Sequence, residues 1–579
     1  MSQAALSDIR RQVMWNRLLA VVEEQARMLI KTAFSATVRE AGDLSAGLFD
    51  DQGRMIAQAV TGTPGHVNSM AECVPHFLRR FPAARLKPGD HFITNDPWLA
   101  SGHLHDVTVV SPVFRGERPI GYFACTCHQV DIGGLGQGPD GRSVYEEGLF
   151  IPPMYLARDG VPNADLFEIV RGNVRQPDQV EGDILSYMTA NEASGRRLLR
   201  MLDEFGQDDL DALSDFIRTR SRDATLAEIA KLKPGVYRNE IVIDGYDTPV
   251  KLVAGVEVGT AGIHVDYTGS DNASPFGINV VLNYCKAYSS FGVRCAVAPH
   301  VPNNAGSLGP ITISAPPGSI VNVERPWPVS ARHIIGAFLP DLILGCLAQA
   351  IPERVPAEGS ASVWGAQLRG GPTIAAQAGY RSNRALNPFD LIFFNSGGSG
   401  ARPDKDGMSA TAFPSGVRAL PSEIIETIGP VVIWKKELRP DSGGAGRHRG
   451  GLGQIVEVGT IDGQPMAVFA MYDRVKSGAR GRAGGGDGTA GRVALASGTG
   501  LRAMGLQMIP AHDRLRLELP GGGGFGPAQA RDPAKVAQDV GDELVSADQA
   551  KAIYRVALAA DGTLDVAATD ALRANGTNG

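Results

Sequence analysis

The hydrophobic pattern first predicts a long helix near the start of the chain. Apolar residues recur at helical spacing between Leu18 and Leu29, and Ser7 is a suitable N-cap. We therefore expect a helix from Ser7 to about Thr32. Short apolar runs bounded by turn residues follow it, and these runs are typical of strands. They cover residues 46–50, 91–94 and 107–110.

Further along the chain, the pattern alternates between helix and strand. Residues 163–231 have a helical pattern, with an amphipathic stretch at 196–202, and the strand-like runs 250–253 and 263–267 follow Pro234. From about residue 370 glycine accumulates in clusters such as 397–400 and 521–524, with strand-like pieces such as 430–434 between them. We interpret these clusters as tight turns of a β-rich half.

These elements predict an α+β fold, because helix and strand alternate too irregularly for a barrel or a doubly wound sheet. We divide the chain into consecutive segments with different patterns. They are an N-terminal metal-site module (1–231), a central β-rich α+β segment (232–370), a glycine-rich β segment (371–530) and a helical C-terminal tail (531–579).

Composition and charge narrow the class of partner. The 579 residues are 43% hydrophobic and 20% charged, with a net charge of −6 and no basic run, so neither nucleic acid nor an anionic membrane is an expected partner. The six cysteines show no repeated spacing, which fits a reducing cytoplasm better than a disulfide framework. No apolar stretch has the character of a signal peptide or a membrane span. Small molecules and proteins remain the expected partners.

The glycine clusters lack the features of a nucleotide site. None ends in the Gly-Lys-Ser/Thr of a P-loop, and no Gly-x-Gly-x-x-Gly follows a strand and opens a helix. We therefore do not expect this chain to bind ATP by itself.

The strongest chemical signal is the sequence Gly102-His103-Leu104-His105-Asp106, followed by His128. A turn at Gly102 can bring His103 and Asp106 to one point, and His128 can arrive from an adjacent strand. Imidazole and carboxylate ligands together suit a borderline divalent metal, with a further carboxylate completing four ligands.

Two other ligand sets compete with this one. Cys125 and Cys127 share one face of a strand while His128 points to the other, so a Cys-Cys-His site is awkward and the cysteines are better explained as buried apolar residues. His105 shares a face with His103 on an extended chain, and we assign it to the surroundings of the metal or to substrate contact. A single histidine of this kind can also be an ordinary core residue.

Ordered motifs occur along nearly the whole chain. They are 32–35, 39–45, Gly65-His66-Val67-Asn68-Ser69-Met70, Asn95-Asp96-Pro97, 102–106, 128, Asp131-Ile132-Gly133-Gly134, 147–153, 173–175, 437–446 and 520–526. Together these motifs resemble the B-type subunits of ATP-dependent hydantoinases and 5-oxoprolinases. The larger subunits of acetone-type and acetophenone-type carboxylases are also similar.

The resemblance implies a metal held by Asp43, His103, Asp106 and His128, and Asp43 enters only through it. Nitrogen ligands favour Mn²⁺ or Zn²⁺, with Fe²⁺ as a third option. The same resemblance places three further residues near the reaction, where they orient water, substrate or proton transfer or else only stabilise turns: His105, Asp131 and Glu147. Many relatives have a second histidine where this chain has Gln129, which changes what that position can bind.

The implied activity is the ATP-dependent opening of a cyclic amide such as hydantoin, 5-oxoproline or a related lactam. An actin-like ATPase partner of the hydantoinase A type uses ATP and Mg²⁺ to phosphorylate the carbonyl, and a metal-bound water attacks the activated carbon. The resemblance suggests a heterotetramer with two subunits of each kind. The alternatives are a subunit of an ATP-dependent ketone carboxylase and a non-catalytic scaffold. The chain length favours the hydrolase.

Overall fold

A computed structural model describes residues 3–383 and 385–574. Within this range the chain forms two compact units. Unit 1 comprises Met1–Glu240, Leu252–Cys346 and Ser415–Arg418, and unit 2 comprises Ile241–Lys251, Leu347–Pro414 and Ala419–Gly579. This division is coarser than the segments expected from the sequence, whose boundaries stay predictions.

Long helices and two sheets form the framework of unit 1. Its helices are α1 (Gln3–Thr32), α2 (Ala36–Arg39), α3 (Pro64–Arg80), α4 (Ala164–Asn173), α5 (Pro177–Glu204), α6 (Asp211–Ile229), α7 (Leu282–Val297), α8 (Ala305–Leu308), α9 (His333–Gly336) and α10 (Leu339–Leu347). Its strands are β1 (Leu44–Asp50), β2 (Met55–Gln58), β3 (His91–Thr94), β4 (Asp106–Arg115), β5 (Arg118–His128), β6 (Met154–Arg158), β7 (Val161–Pro162), β10 (Gly262–Asp266) and β11 (Ile311–Ser314). Strands β8 (Gly235–Ile243) and β9 (Val250–Gly259) have most of their residues in this unit.

The larger sheet of unit 1 has the strand order β2-β1-β5-β4-β3-β6-β7 and buries both of its faces. Along β5, Phe123, Cys125 and Cys127 join the core that also contains residues of α1 and α5. Tyr122 and Ala124 join the core on the other face, together with residues of α3. The alternation of side chains along a strand explains this division, and it confirms that the two cysteines point away from His128.

The central strands of this sheet place candidate ligand residues side by side at their ends. β5 pairs antiparallel with both β1 and β4, so the start of β1, the end of β5 and the start of β4 lie side by side. Asp106 opens β4 and His128 closes β5, and the two residues are direct register partners.

Several predicted elements are confirmed. Helix α1 ends at Thr32 as expected, residues 163–231 form α4 to α6, and the α+β class is correct. The predicted start of α1 was wrong, because the helix begins at Gln3 and Ser7 lies within it. Helices α3 and α7 were not predicted. No helix in the described ranges is long and apolar enough to cross a membrane.

Unit 2 contains two further sheets, with strand orders β13-β12-β16-β18 and β14-β15-β19-β17. Its strands are β12 (Val363–Gly370), β13 (Phe389–Ser396), β14 (Val431–Leu438), β15 (Gln454–Thr460), β16 (Met466–Met471), β17 (Arg492–Leu495), β18 (Met504–Ile509), β19 (Leu515–Glu518), β20 (Ala557–Leu558) and β21 (Leu564–Asp565). Its helices are α11 (Pro372–Gln377), α12 (Ser422–Ile428), α13 (Pro533–Gly541), α14 (Ala547–Ala552) and α15 (Val566–Ala574). The tail is helical as predicted, with the short β20 and β21 pair inside it.

The glycine clusters of unit 2 are not simple turns, and this expectation was wrong. Segments 397–400, 443–451 and 521–524, here called the glycine array, lie against one another and exchange backbone hydrogen bonds. Gly444 N–H donates to Gly522 O at 2.8 Å, and Gly522 N–H donates to Gly451 O at 2.9 Å. A Cβ on Gly450 would lie 1.9 Å from Gly522 O. Glycine is therefore required here by close backbone approach.

The glycine array yields a stability prediction. Gly450→Ala forces a methyl group into the backbone of Gly522, and overpacking of this kind costs about 1–3 kcal/mol. We expect a lower midpoint of thermal unfolding by calorimetry. Gly500→Ala is the matched control, because a Cβ there meets no atom of the described chain within 4 Å. Equal midpoints for the two variants would contradict the packing argument.

Candidate metal centre

His103, Asp106 and His128 converge in unit 1 as the sequence predicts. One ligand atom from each lies within 4.8 Å of the others, and all three residues are buried. The turn before Asp106 depends on Gly102, whose φ is +92° and where a Cβ would lie 2.7 Å from the Arg332 side chain. Glycine tolerates both the positive φ and the close approach of Arg332, because it has no Cβ.

The contacts of His103 define which nitrogen faces the carboxylate. His103 Nδ1 lies 2.9 Å from the carbonyl oxygen of Ser330. A carbonyl only accepts, so Nδ1 carries the proton and Nε2 of the neutral ring carries a lone pair. That Nε2 lies 2.8 Å from Asp106 Oδ1, yet within the described chain it makes no hydrogen bond.

His128 approaches the same oxygen. Its Nδ1 lies 3.0 Å from Asp106 Oδ1, and its Nε2 lies 3.2 Å from Gln137 Oε1. When Nε2–H donates to Gln137 Oε1, His128 Nδ1 is left with a lone pair and is available as a metal ligand. In the other tautomer, Nδ1–H donates to Asp106 Oδ1. This donor set therefore fits a divalent metal, which imidazole and carboxylate ligands bind together.

The charge of Asp106 is maintained by its neighbours. Ser101 Oγ donates to Asp106 Oδ2 at 2.6 Å, and the Arg332 guanidinium donates to the same oxygen. Burial alone would raise the pKa of Asp106, but His103, His66 and Arg332 outweigh it and hold the pKa well below its usual range. Burial and the Arg332 charge lower the pKa of His103. A neutral imidazole thus faces an ionised carboxylate.

Asp43 lies beside this group but not within it. Its backbone carbonyl accepts the His128 N–H at 3.0 Å, while its side-chain Oδ1 lies 3.5 Å from His66 Nδ1. Neither of these two side-chain atoms has a hydrogen-bond partner in the described structure. Its role as the fourth ligand stays a prediction.

His66 is a site residue that sequence reasoning missed. It lies on α3, and its Nε2 is 2.9 Å from Asp106 Oδ2. Burial opposes its charge, but the carboxylates of Asp106 and Asp43 outweigh burial and raise the pKa of His66. The signal was present in the sequence, because His66 belongs to the segment 65–70 that carries the resemblance.

His105 is close to the metal candidates, as expected. Its ring stacks on that of His128 with centroids 5.4 Å apart and an angle of 12°. Burial, together with the nearby His128, lowers the pKa of His105 to about 3. Its Nδ1 is buried without a hydrogen-bond partner among the described residues, so it can accept a hydrogen bond from a ligand.

Asp131 and Glu147 both hold backbone in place. Asp131 Oδ1 accepts from Gly133 N–H at 3.0 Å and from Arg175 Nη1 at 2.8 Å, which are contacts of a turn residue. Glu147 Oε1 accepts from the N–H groups of Val329 and Ser330. Burial raises the pKa of Glu147 to about 8.

Gln129 directly follows β5, and its side chain points away from that of His128, toward the core that contains Tyr187. Its Nε2 donates to the Tyr187 hydroxyl at 2.7 Å, inside the core beneath the sheet. The departure from the histidine of many relatives therefore changes a core hydrogen bond and leaves the metal-candidate side chains untouched.

The chain is similar to known proteins over most of its length. The sequence profile described as "Hydantoinase B/oxoprolinase" matches residues 7–528. The caprolactamase subunit beta of Pseudomonas jessenii is 29% identical, over 95% of this chain and 96% of its own length. The 5-oxoprolinase PfmaA of Pestalotiopsis fici is 27% identical over 88% of this chain, and the match spans 40% of that longer protein.

Two solved structures have similar folds. The ATP-dependent caprolactamase from Pseudomonas jessenii matches with a TM-score of 0.85 at 26% identity, over 98% of this chain and 99% of the other. A nucleotide-free acetone carboxylase matches with a TM-score of 0.84 at 20% identity, over 98% of this chain and 82% of the other.

The position of Gln129 predicts that its loss affects stability and not metal binding. Gln129→Leu removes the donor to the buried Tyr187 hydroxyl, which costs about 1–3 kcal/mol. We expect a lower unfolding midpoint with unchanged metal content by elemental analysis. His128→Ala is the comparison variant and should have a lower metal content, because it removes a candidate ligand. A metal content in Gln129→Leu as low as in His128→Ala would contradict the prediction.

Proposed function

Because the chain belongs to the hydantoinase B/oxoprolinase family, we propose that it is the metal-containing subunit of an ATP-dependent cyclic-amide hydrolase. The proposed substrate is hydantoin, 5-oxoproline or a related lactam. The observation that supports it most is the convergence of His103 and His128 on the ionised carboxylate of Asp106. Such an arrangement could hold a divalent cation, and a Lewis acid would assist the hydrolysis of an activated amide.

The proposed ligands are Asp43, His103, Asp106 and His128. Mn²⁺ and Zn²⁺ are the first choices and Fe²⁺ the third, because borderline metals accept nitrogen and oxygen ligands together. When bound, the metal supplies Lewis-acid chemistry that makes water a stronger nucleophile at neutral pH. The Ser330 carbonyl fixes the proton of His103 on Nδ1 and so keeps Nε2 available as a ligand.

The residues around the ligands divide into two groups. His105 offers an unpartnered Nδ1, which we assign to holding water or substrate by a hydrogen bond. Arg332 and Ser101 keep Asp106 ionised and oriented. Asp131 and Glu147 hold backbone segments around the site. Because all these side chains are buried, bulk water is largely excluded from the centre.

ATP chemistry is assigned to a partner. This chain has no nucleotide-binding motif, and an amide carbonyl is a poor electrophile until it is activated. The similar caprolactamase chain is itself one subunit of an enzyme. We therefore propose a hydantoinase A-type ATPase subunit with an actin-like fold that uses ATP and Mg²⁺, in a cytoplasmic heterotetramer with two subunits of each kind.

The second candidate function is ketone carboxylation, which the similarity in fold to acetone carboxylase favours. The same metal site would serve an activated enol that meets an activated form of bicarbonate. The dependence on bicarbonate separates the two reactions.

The first experiment measures ATP consumption and products for this chain co-purified with its ATPase partner. Hydantoin, 5-oxoproline, caprolactam and acetophenone are tested with and without bicarbonate. We expect ring-opened product and ADP without bicarbonate. Bicarbonate-dependent consumption of acetophenone, with no ring opening of any amide, would replace the hydrolase by the carboxylase.

Removal of the metal gives a separate prediction. Treatment of the complex with a chelator should abolish ring opening, and Mn²⁺ or Zn²⁺ should restore it. His128→Ala should lose both the metal and turnover while the complex still assembles on gel filtration. His300→Ala, an exposed histidine on a loop, is the matched control and should retain both. Full turnover in His128→Ala would support a scaffold role instead.

A further inference from the structure

Glu147 binds a backbone segment that leads directly into the metal centre. Its Oε1 accepts the N–H of Val329 at 2.6 Å and the N–H of Ser330 at 2.8 Å. Glu147 itself is buried, with a relative exposure of 1%. Two consecutive N–H groups directed at one oxygen fix the orientation of the backbone at Ser330, because buried backbone donors require partners.

The same segment contacts two metal candidates. The carbonyl oxygen of Ser330 accepts from His103 Nδ1 at 2.9 Å. Two residues later, the Arg332 guanidinium donates to Asp106 Oδ2 and to the carbonyl oxygen of Ser101. The segment 329–332 therefore forms one hydrogen bond with the imidazole of His103 and another with the carboxylate of Asp106.

Further backbone contacts hold this segment against the loop that carries Glu147. Val144 N–H donates to Pro326 O at 3.0 Å, and Ala331 N–H donates to Gly277 O at 2.7 Å. Gly277 in turn donates to Pro139 O at 2.8 Å. These bonds hold the two segments together, but none of them involves the N–H groups of Val329 and Ser330, which donate to Glu147.

We propose that Glu147 is a positioning residue of the metal centre, which acts through the Ser330 carbonyl to orient His103 and does not transfer a proton to substrate. The inference rests on the proposed function for the presence of the metal. Hydrogen-bond partners of this kind align a ligand imidazole and fix its tautomer. This positioning role depends on Glu147 Oε1, which accepts both N–H groups.

Proton transfer is the competing role, because Glu147 Oε2 has no hydrogen-bond partner among the described residues. The two roles differ in what glutamine can replace. Glu147→Gln keeps an oxygen that accepts both N–H groups but cannot exchange a proton. Glu147→Ala removes the acceptor and leaves two buried N–H groups without a partner.

The test measures the Kd for Mn²⁺ by equilibrium dialysis of the full-length chain, the visible spectrum of the Co²⁺ form, and kcat of the complex. Glu147→Ala should weaken Mn²⁺ binding by about 10–100-fold and alter the Co²⁺ spectrum. Glu147→Gln should retain the wild-type Kd, spectrum and kcat. The adjacent exposed Glu146→Gln is the matched control and should change none of them.

Two results would overturn the inference. Wild-type Mn²⁺ affinity in Glu147→Ala would show that the contact does not position the site. A Glu147→Gln variant with wild-type Kd and a kcat lower by about 10²–10⁴-fold would show proton transfer instead. If Glu147→Ala fails to fold, Glu147→Gln still decides between the two roles.

Failure of the proposed function is distinguishable from failure of this inference. The Kd and the Co²⁺ spectrum are measured without substrate, ATP or partner. If the wild-type chain binds Mn²⁺ and the variants behave as expected but no cyclic amide is opened, the inference holds and the hydrolase proposal fails. If the wild-type chain binds neither metal, the inference is overturned.

Discussion

The pairing of the buried Asp106 carboxylate with its neighbours is the interaction on which the candidate metal centre depends. Transfer of a charge into the interior costs several kcal/mol unless it is paired and hydrogen-bonded. Here Arg332 and Ser101 satisfy one oxygen, while His103 and His128 approach the other. These residues come from the start of β4, the end of β5 and two loops. The side chain of Asp106 therefore links the ends of two strands to both loops.

The sequence predicted the part of the site that is local in the chain. His103 and Asp106 share one turn, and His128 ends the strand that pairs with the strand begun by Asp106, so spacing and alternation were sufficient. Asp43 required the resemblance to a known family. Arg332 was not predicted, because only the tertiary fold brings it to Asp106. His66 lay within a recognised motif, but nothing in its spacing indicated that it faces Asp43 and Asp106.

The fold was predicted where the hydrophobic pattern has one clear period. Helix α1 and the strands β3 and β4 follow such patterns. Helix α7 does not, because most of its residues are buried and polar residues such as Asn283 and Ser289 occupy buried positions among the apolar ones. The glycine array was misinterpreted for a different reason. Composition shows that a side chain is absent, but it does not show whether a turn or a neighbouring backbone requires that absence.

The burial of the candidate ligands has a consequence for how the protein acquires its ion. Asp43, His103, Asp106 and His128 are each less than 9% exposed, so an ion held by them would enter and leave through local opening of the fold. Its exchange would then be slower than the lability of the ligand bonds alone allows. A chelator or an added metal would accordingly act on the timescale of that opening.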